Sequence, residues 1–355
     1  MGARKSAPAH VPAKWTPVRR QGHAPTDESA EDRLIARHFR PLATHPGALG
    51  LIDDAAAITV PAGHELVLKT DGVIAGVHFF PDDPPETVAQ KALRINLSDL
   101  AAKGARPLGF LLSIALTRDV VDGWLARFTR ALGADAKKFG CPLLGGDTDR
   151  TPGLVSVTIA AFGTVPRGTM LRRDRARRGD RIVVTGTIGD AALGVILRRD
   201  PKAAARWGLD RRLREHLLRR YLVPQPRNAI AAALRRAAHG AMDVSDGLVG
   251  DLAKMCRASR LDAKVDIARV PLSRAARTAL AAEPALIDTI LTGGDDFEVI
   301  ASVPARKVVA LRKAARAAGV TLSDIGGFAP GAGQARFLDA RGRARKFARP
   351  SYSHF

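Results

Sequence analysis

From Ser29 onward the chain alternates short β-type runs with helical stretches, and it does so twice, on either side of an arginine-rich break at 167–181. That double alternation constrains the fold more than any other property of the sequence. A helical bundle lacks the strands and a β-sandwich lacks the helices, so layered α/β units remain. In the first half ELVLKTDGV (65–73) and LVSVTIAAFGTV (154–165) read as strands, the second from its Val/Ser/Val/Thr/Ile alternation. Between them PETVAQKALRINLSDLAAKGA (85–105) and VVDGWLARFTRALGADAKKFG (120–140) carry helical periodicity, the latter stopped by Gly140. SAEDRLIARHF predicts a helix capped by Ser29. In the second half RIVVTG (181–186), HGAMDVSDG, AKVDIA and FEVIASV (297–303) alternate with helical DAALGVILRR, PQPRNAIAAALRRAA, LVGDLAKMCRAS, a helix near 273–282 and VVALRKAARAAG.

The expected class is therefore α/β (α+β) with two α/β domains, 29–166 and 167–355, after a disordered basic extension at 1–28. A length of 355 residues favours two cores over one, and a hydrophobic content of 46% suffices to fill them. The first 28 residues hold no apolar h-region, which excludes a secretory signal. No uninterrupted apolar run reaches about 18 residues, so no membrane span is expected.

A formal net charge of +21 points to nucleic acid, an anionic membrane or a phosphorylated ligand. The charge is spread along the chain, however, and aromatics make up only 5%, without the pattern of an RNA binder. Solvated surface arginines account for it better, which leaves nucleic-acid binding as a rival reading rather than the main one. Cys141 and Cys256 are far apart and show no metal-type spacing, as expected of a reduced, cytoplasmic protein.

Acidic residues recur at one kind of place. They stand at IDDAA (Asp53, Asp54), KTDG (Asp71), NLSDL (Asp99), GGDTD (Asp147, Asp149), DVSDG (Asp243, Asp246) and GGDDFE (Asp295, Asp296). Singly, each reads as a turn or cap residue. Converging from several strand ends, they would repel one another unless cations neutralise them. Oxygen ligands without a Cys/His cluster favour Mg²⁺ over zinc, and Mg²⁺ in such sites also binds substrate phosphates. Gly145 and Gly146 would then let phosphate reach backbone N–H groups. No Walker A loop, kinase H-R-D or D-F-G, or G-x-G-x-x-G after a strand occurs, so an ATP site here holds phosphates mainly through metals.

These motifs, with LIARHF, TDGVIAGVHF, KALRINLSDLAAKGA, GTIGDAALG and the final SYSHF, resemble the thiamine-monophosphate kinase family over nearly the whole chain beyond the extension. Aminoimidazole ribonucleotide and selenophosphate synthetases are sister families, and the reactive N-terminal Cys of the latter is missing. The resemblance implies Mg²⁺ ligands at Asp54, Thr70, Asp71, Asp99, Asp147, Asp243 and Asp246. It implies ATP contacts at Gly146, Asp147, Arg173 and Ser245, and substrate contacts at His78, Asp295 and Tyr352. It further implies a homodimer whose N-terminal strands form an intersubunit barrel, with ATP between the two domains. The expected activity is ATP-dependent phosphorylation of thiamine monophosphate by direct, Mg²⁺-assisted transfer without an acid/base residue. The alternatives are another kinase or synthetase of this fold, or a basic nucleic-acid-binding protein. Three positions depart from the family pattern: Ile52 for a usual Gly, Lys69 for Ser or Thr, and Asp295 for Glu. Asp53, Asp149 and Asp296 are read as turn or structural residues.

Overall fold

The structure, a computed structural model, describes residues 29–351. The extension expected at 1–28 and the substrate contact expected at Tyr352 lie outside the described residues.

Ser29 and Asp32 close a capping box at the start of α1 (Ala30–Leu34). β1 (His64–Ile74) leads into α2 (Pro85–Ala102), β2 (Arg106–Leu116), α3 (Asp122–Phe139), β3 (Leu143–Arg150) and β4 (Ser156–Pro166). These strands form one sheet in the order β1-β4-β2-β3, antiparallel except for the β2–β3 pair. α2 and α3 cover one face of it, and Leu66, Leu68, Ile74 and Leu111 stay exposed on the other.

A second sheet is built from β5 (Arg181–Thr185), β6 (Gly240–Val244), β7 (Leu261–Asp266), β8 (Glu298–Val303), β9 (Leu322–Pro330) and β10 (Ala335–Leu338), in the order β10-β7-β9-β5-β8-β6. Around it lie α4 (Asp190–Arg199), α5 (Ala203–Arg206), α6 (Arg211–Leu222), α7 (Ala231–Ala237), α8 (Leu248–Ser259), α9 (Arg274–Ala282), α10 (Leu286–Thr292) and α11 (Ala305–Ala317).

α2 joins the two halves. It packs on β1 and β4 and also against β6, β8 and α7. Hence even Lys91, Arg94, Asn96 and Ser98 are buried in it. Its Arg94 donates to both oxygens of Asp135 on α3, at 2.5 and 2.8 Å, and to the Pro224 carbonyl at 3.0 Å. A bidentate pair in which each guanidinium nitrogen has a partner is what permits such a charge inside.

The sequence reading places LLGGDTDR at a strand end entering a turn, whereas all eight residues form β3. Gly-Gly and Asp disfavour strands, but pairing along β2 from Leu143 to Arg150 overrides that preference. Gly146 is held there by close approach, since a Cβ would stand 1.8 Å from the Leu112 carbonyl oxygen. β2, β9, β10 and α10 were not anticipated. GFLLSIAL in β2 is an apolar run broken only by Ser113, and its periodicity does not separate helix from strand.

Candidate active site

Strand alternation sends Lys69 and Asp71 of β1 toward α2, and Thr70 to the opposite, open face of the sheet. On α2, Lys91, Asp99 and Lys103 recur at multiples of four residues and line one side of the helix. Lys69 Nζ consequently lies 3.1 Å from Asp71 Oδ2 and 3.0 Å from Asp99 Oδ2.

The other wall comes from the second sheet. Asp243 is buried next to the end of β6, and the turn Ser245–Asp246–Gly247 leads into α8. Asp251, in the first turn of α8, accepts the N–H groups of Ser245 (3.0 Å) and Asp246 (2.9 Å). Lys254 Nζ reaches Asp246 Oδ2 at 2.5 Å and Asp251 Oδ1 at 2.8 Å. The loop before β8 is stitched to this turn, because the Asp295 N–H donates to the Ser245 carbonyl at 2.8 Å. Asp295 sits at φ 70°, in the left-handed region. Aspartate tolerates that conformation better than most residues, and such strain gathers at functional sites.

Asp295 Oδ2 is 2.8 Å from Lys91 Nζ, which also donates to the His78 carbonyl at 2.8 Å and lies 3.9 Å from the Tyr221 ring centroid. His78 itself accepts the Ile74 N–H at Nδ1, 3.1 Å away. Ser351, the residue before Tyr352, donates to the Asp246 carbonyl at 3.3 Å, so the C-terminal segment reaches this wall.

The electrostatics show which charge is in excess. Burial resists the charge of Lys69, yet Asp99 and Asp71 outweigh it and raise its pKa. Asp71 is also raised, by burial and by repulsion from Asp99 and Asp246, which exceed the pull of Lys69. Asp243 is raised well above the ordinary range by burial and by Asp99 and Asp251. All three directions describe a cleft short of positive charge. Asp243 Oδ2 is moreover buried without a hydrogen-bond partner, and a buried unpaired carboxylate oxygen fits a cation. Lys103 Nζ contacts the Ala241 carbonyl at 3.4 Å; burial lowers its pKa against the pull of Asp99 and Asp243.

The structure thus brings Asp71, Asp99, Asp243, Asp246, Ser245, Asp295 and His78 to one inter-domain cleft. Exposed Arg173 lies close enough to depress the Lys103 pKa. Asp54, Thr70, Gly146 and Asp147 are placed elsewhere in the single chain. Asp147 pairs with Ser113 across from Gly72, on the open face, and its Oδ1 accepts the Thr148 N–H at 3.0 Å. Three strand spacings separate β3 from β1, roughly 14 Å along the sheet. Asp54 is exposed after the turn Pro46–Leu51, which packs against β3. Among the described residues no group of three His, Cys, Asp or Glu is gathered tightly enough to hold a metal by itself. Asp53 accepts the Ala55 N–H in a turn, and Asp296 accepts the Gly189 N–H at the head of α4.

Sequence reasoning missed Lys91, Lys103, Lys254 and Asp251. Their signal was spacing: two lysines in register with Asp99 on α2, and an Asp/Lys pair three apart on α8.

The family model "AIR synthase related protein, N-terminal domain" matches residues 52–165, and "AIR synthase related protein, C-terminal domain" matches residues 177–338. Thiamine-monophosphate kinase of Caulobacter vibrioides is 40% identical over 311 residues, 86% of each chain. The crystal structure of thiamine-monophosphate kinase from Stenotrophomonas maltophilia K279a gives a TM-score of 0.77 at 36% identity, covering 88% of this chain and 96% of that one. AaThiL complexed with AMPPCP and TMP gives 0.71 at 25% identity, covering 87% and 97%.

Proposed function

Since the chain belongs to the thiamine-monophosphate kinase family, we propose that its inter-domain cleft transfers the γ-phosphoryl group of ATP directly to the phosphate of thiamine monophosphate. The enzyme is an ATP-dependent thiamine-phosphate kinase, and the product is thiamine diphosphate. The observation that carries the finer reading is the carboxylate cleft with its unpartnered Asp243 oxygen, beside ammonium groups on both walls.

Asp71, Asp99, Asp243 and Asp246 are the residues of the cleft that would hold Mg²⁺. The ions would supply charge neutralisation of the triphosphate and of the transferring group. Lys103, the exposed Arg173 near it and Ser245 would meet the triphosphate. His78 and Asp295, tied together through Lys91, would hold thiamine monophosphate. The acceptor is itself a phosphate, largely ionised at pH 7 because its second pKa is about 6, so the chain needs no general base. Positioning and electrostatics then carry the reaction, and fixed placement alone lowers such barriers by about 7–11 kcal/mol.

A homodimer completes this site. β1 and β3 are edge strands, and the open face of their sheet exposes Leu66, Leu68, Ile74 and Leu111. Closure against a second copy as an intersubunit barrel covers that face and brings Asp54, Thr70, Gly146 and Asp147 to the bound nucleotide and its ions. No helix among the described residues is long and apolar enough to cross a membrane. ADP release measured against a panel of small phosphates and amines tests the reading. Turnover with thiamine monophosphate well above every other acceptor is expected. A different preferred acceptor, or radiolabelled phosphate trapped covalently on the protein, would refute substrate or direct transfer respectively.

A further inference from the structure

We propose that Lys69 is a tethered cation that takes the place of one divalent ion in the cleft. The inference rests on the metal site proposed above. Lys69 Nζ stands almost equidistant from Asp71 Oδ2 and Asp99 Oδ2, at 3.1 and 3.0 Å, and those carboxylates belong to different elements, β1 and α2. Bridging two carboxylates from different elements is the task a divalent ion performs in such a site.

The lysine is built into that position. It precedes Asp71 by two residues on an antiparallel strand, so the pleat directs both side chains to one face. The Lys69 side chain retains 29% of its exposure and that of Asp99 17%, which makes this a cleft contact and not a solvated surface pair. Asp243 marks the contrast, since its buried Oδ2 has no partner. One carboxylate position in the cleft is filled by the chain's own ammonium, and another is left for an ion.

A fixed ammonium supplies one charge where Mg²⁺ supplies two, but it is always present, and its desolvation belongs to folding and not to a separate binding step. The enzyme should therefore bind one divalent ion fewer per protomer than the same site with a short polar residue at position 69. The half-saturating Mg²⁺ concentration should also respond to that substitution.

The test is the number of Mn²⁺ ions bound per protomer, read by the loss of the free-ion paramagnetic resonance signal with AMPPCP present. Lys69→Ser is expected to bind one ion more than wild type, and Lys69→Arg the same number as wild type. In metal-free buffer Lys69→Ser should melt below wild type, and saturating Mn²⁺ should close the gap. Equal Mn²⁺ counts for wild type and Lys69→Ser overturn this inference alone. A wild-type chain that takes up no Mn²⁺, with or without AMPPCP, overturns the proposed metal site and this inference together.

Discussion

Replacing Lys91 by Met keeps the volume of a nearly enclosed side chain and removes its charge. Lys91 is 3% exposed, donates to the Asp295 carboxylate and the His78 carbonyl, and lies over the Tyr221 ring. Each charge-assisted hydrogen bond contributes about 1.5–3 kcal/mol, and the lower figure applies here because the Asp295 side chain keeps 32% of its exposure. The cation–π contact adds about 1 kcal/mol. Removing one partner of a buried ion pair costs about 3–5 kcal/mol once the relieved desolvation is counted, and the partly open Asp295 places the net loss at the low end, about 3 kcal/mol. At roughly 2–3 °C per kcal/mol for a chain of this size, the melting temperature should fall by about 6–9 °C. Near-ultraviolet circular dichroism would follow the melt. Steady-state kinetics should show a KM for thiamine monophosphate raised about tenfold, with the KM for ATP within twofold. Combined with Asp295→Asn, the two changes should couple by at least about 1 kcal/mol, as groups in contact do. A melting temperature unchanged within 2 °C, or additivity of the two variants, would refute the argument.

Asp71→Asn should abolish turnover while leaving the melting curve near wild type, and normal turnover at saturating Mg²⁺ would count against its metal role. Asp296 is fully buried, and burial holds its pKa well above the ordinary 3.8 despite the Gly189 N–H. Its folded form keeps a proton that the unfolded chain releases, so the wild type loses stability as pH rises from about 4 toward the folded pKa. Asp296→Asn removes that loss, and its advantage over wild type in urea unfolding should grow with pH; a gap that stays constant would contradict the assignment. Arg260 follows α8 at φ 54°, where a side chain is strained. Arg260→Gly should raise stability by about 0.5–1 kcal/mol, and a lower urea midpoint would disprove it. Leu68→Asp on the open sheet face should turn a dimer into a monomer by size-exclusion chromatography; an unchanged elution volume would speak against that interface.

The sequence made the alternation and most elements of both halves legible, because period-2 and period-3.6 patterns are local. β2 escaped notice because its open face also carries apolar residues such as Leu111 and Ala115, which hides the alternation its burial shows. LLGGDTDR escaped because its strand character comes from pairing with β2, which no neighbouring residue announces. The carboxylates stood out by type and position, yet their division between cleft and open face depends on register. Thr70 and Asp71 are adjacent in sequence and face opposite ways in the sheet. The lysines were the least visible. In so basic a chain a lysine on α2 looks like any other surface charge until the helix is seen buried on both sides.

That helix has a consequence for how the enzyme measures its substrates. With α2 seated in the cores of both halves, and Arg94 fastening it to Pro224 across the boundary, a hinge opening would tear apart packed apolar surface and not merely swing one lobe away from the other. The gap between the walls is then a gauge of fixed width. Under the function proposed above, donor and acceptor would have to fit that width as it stands, because the walls cannot close on them.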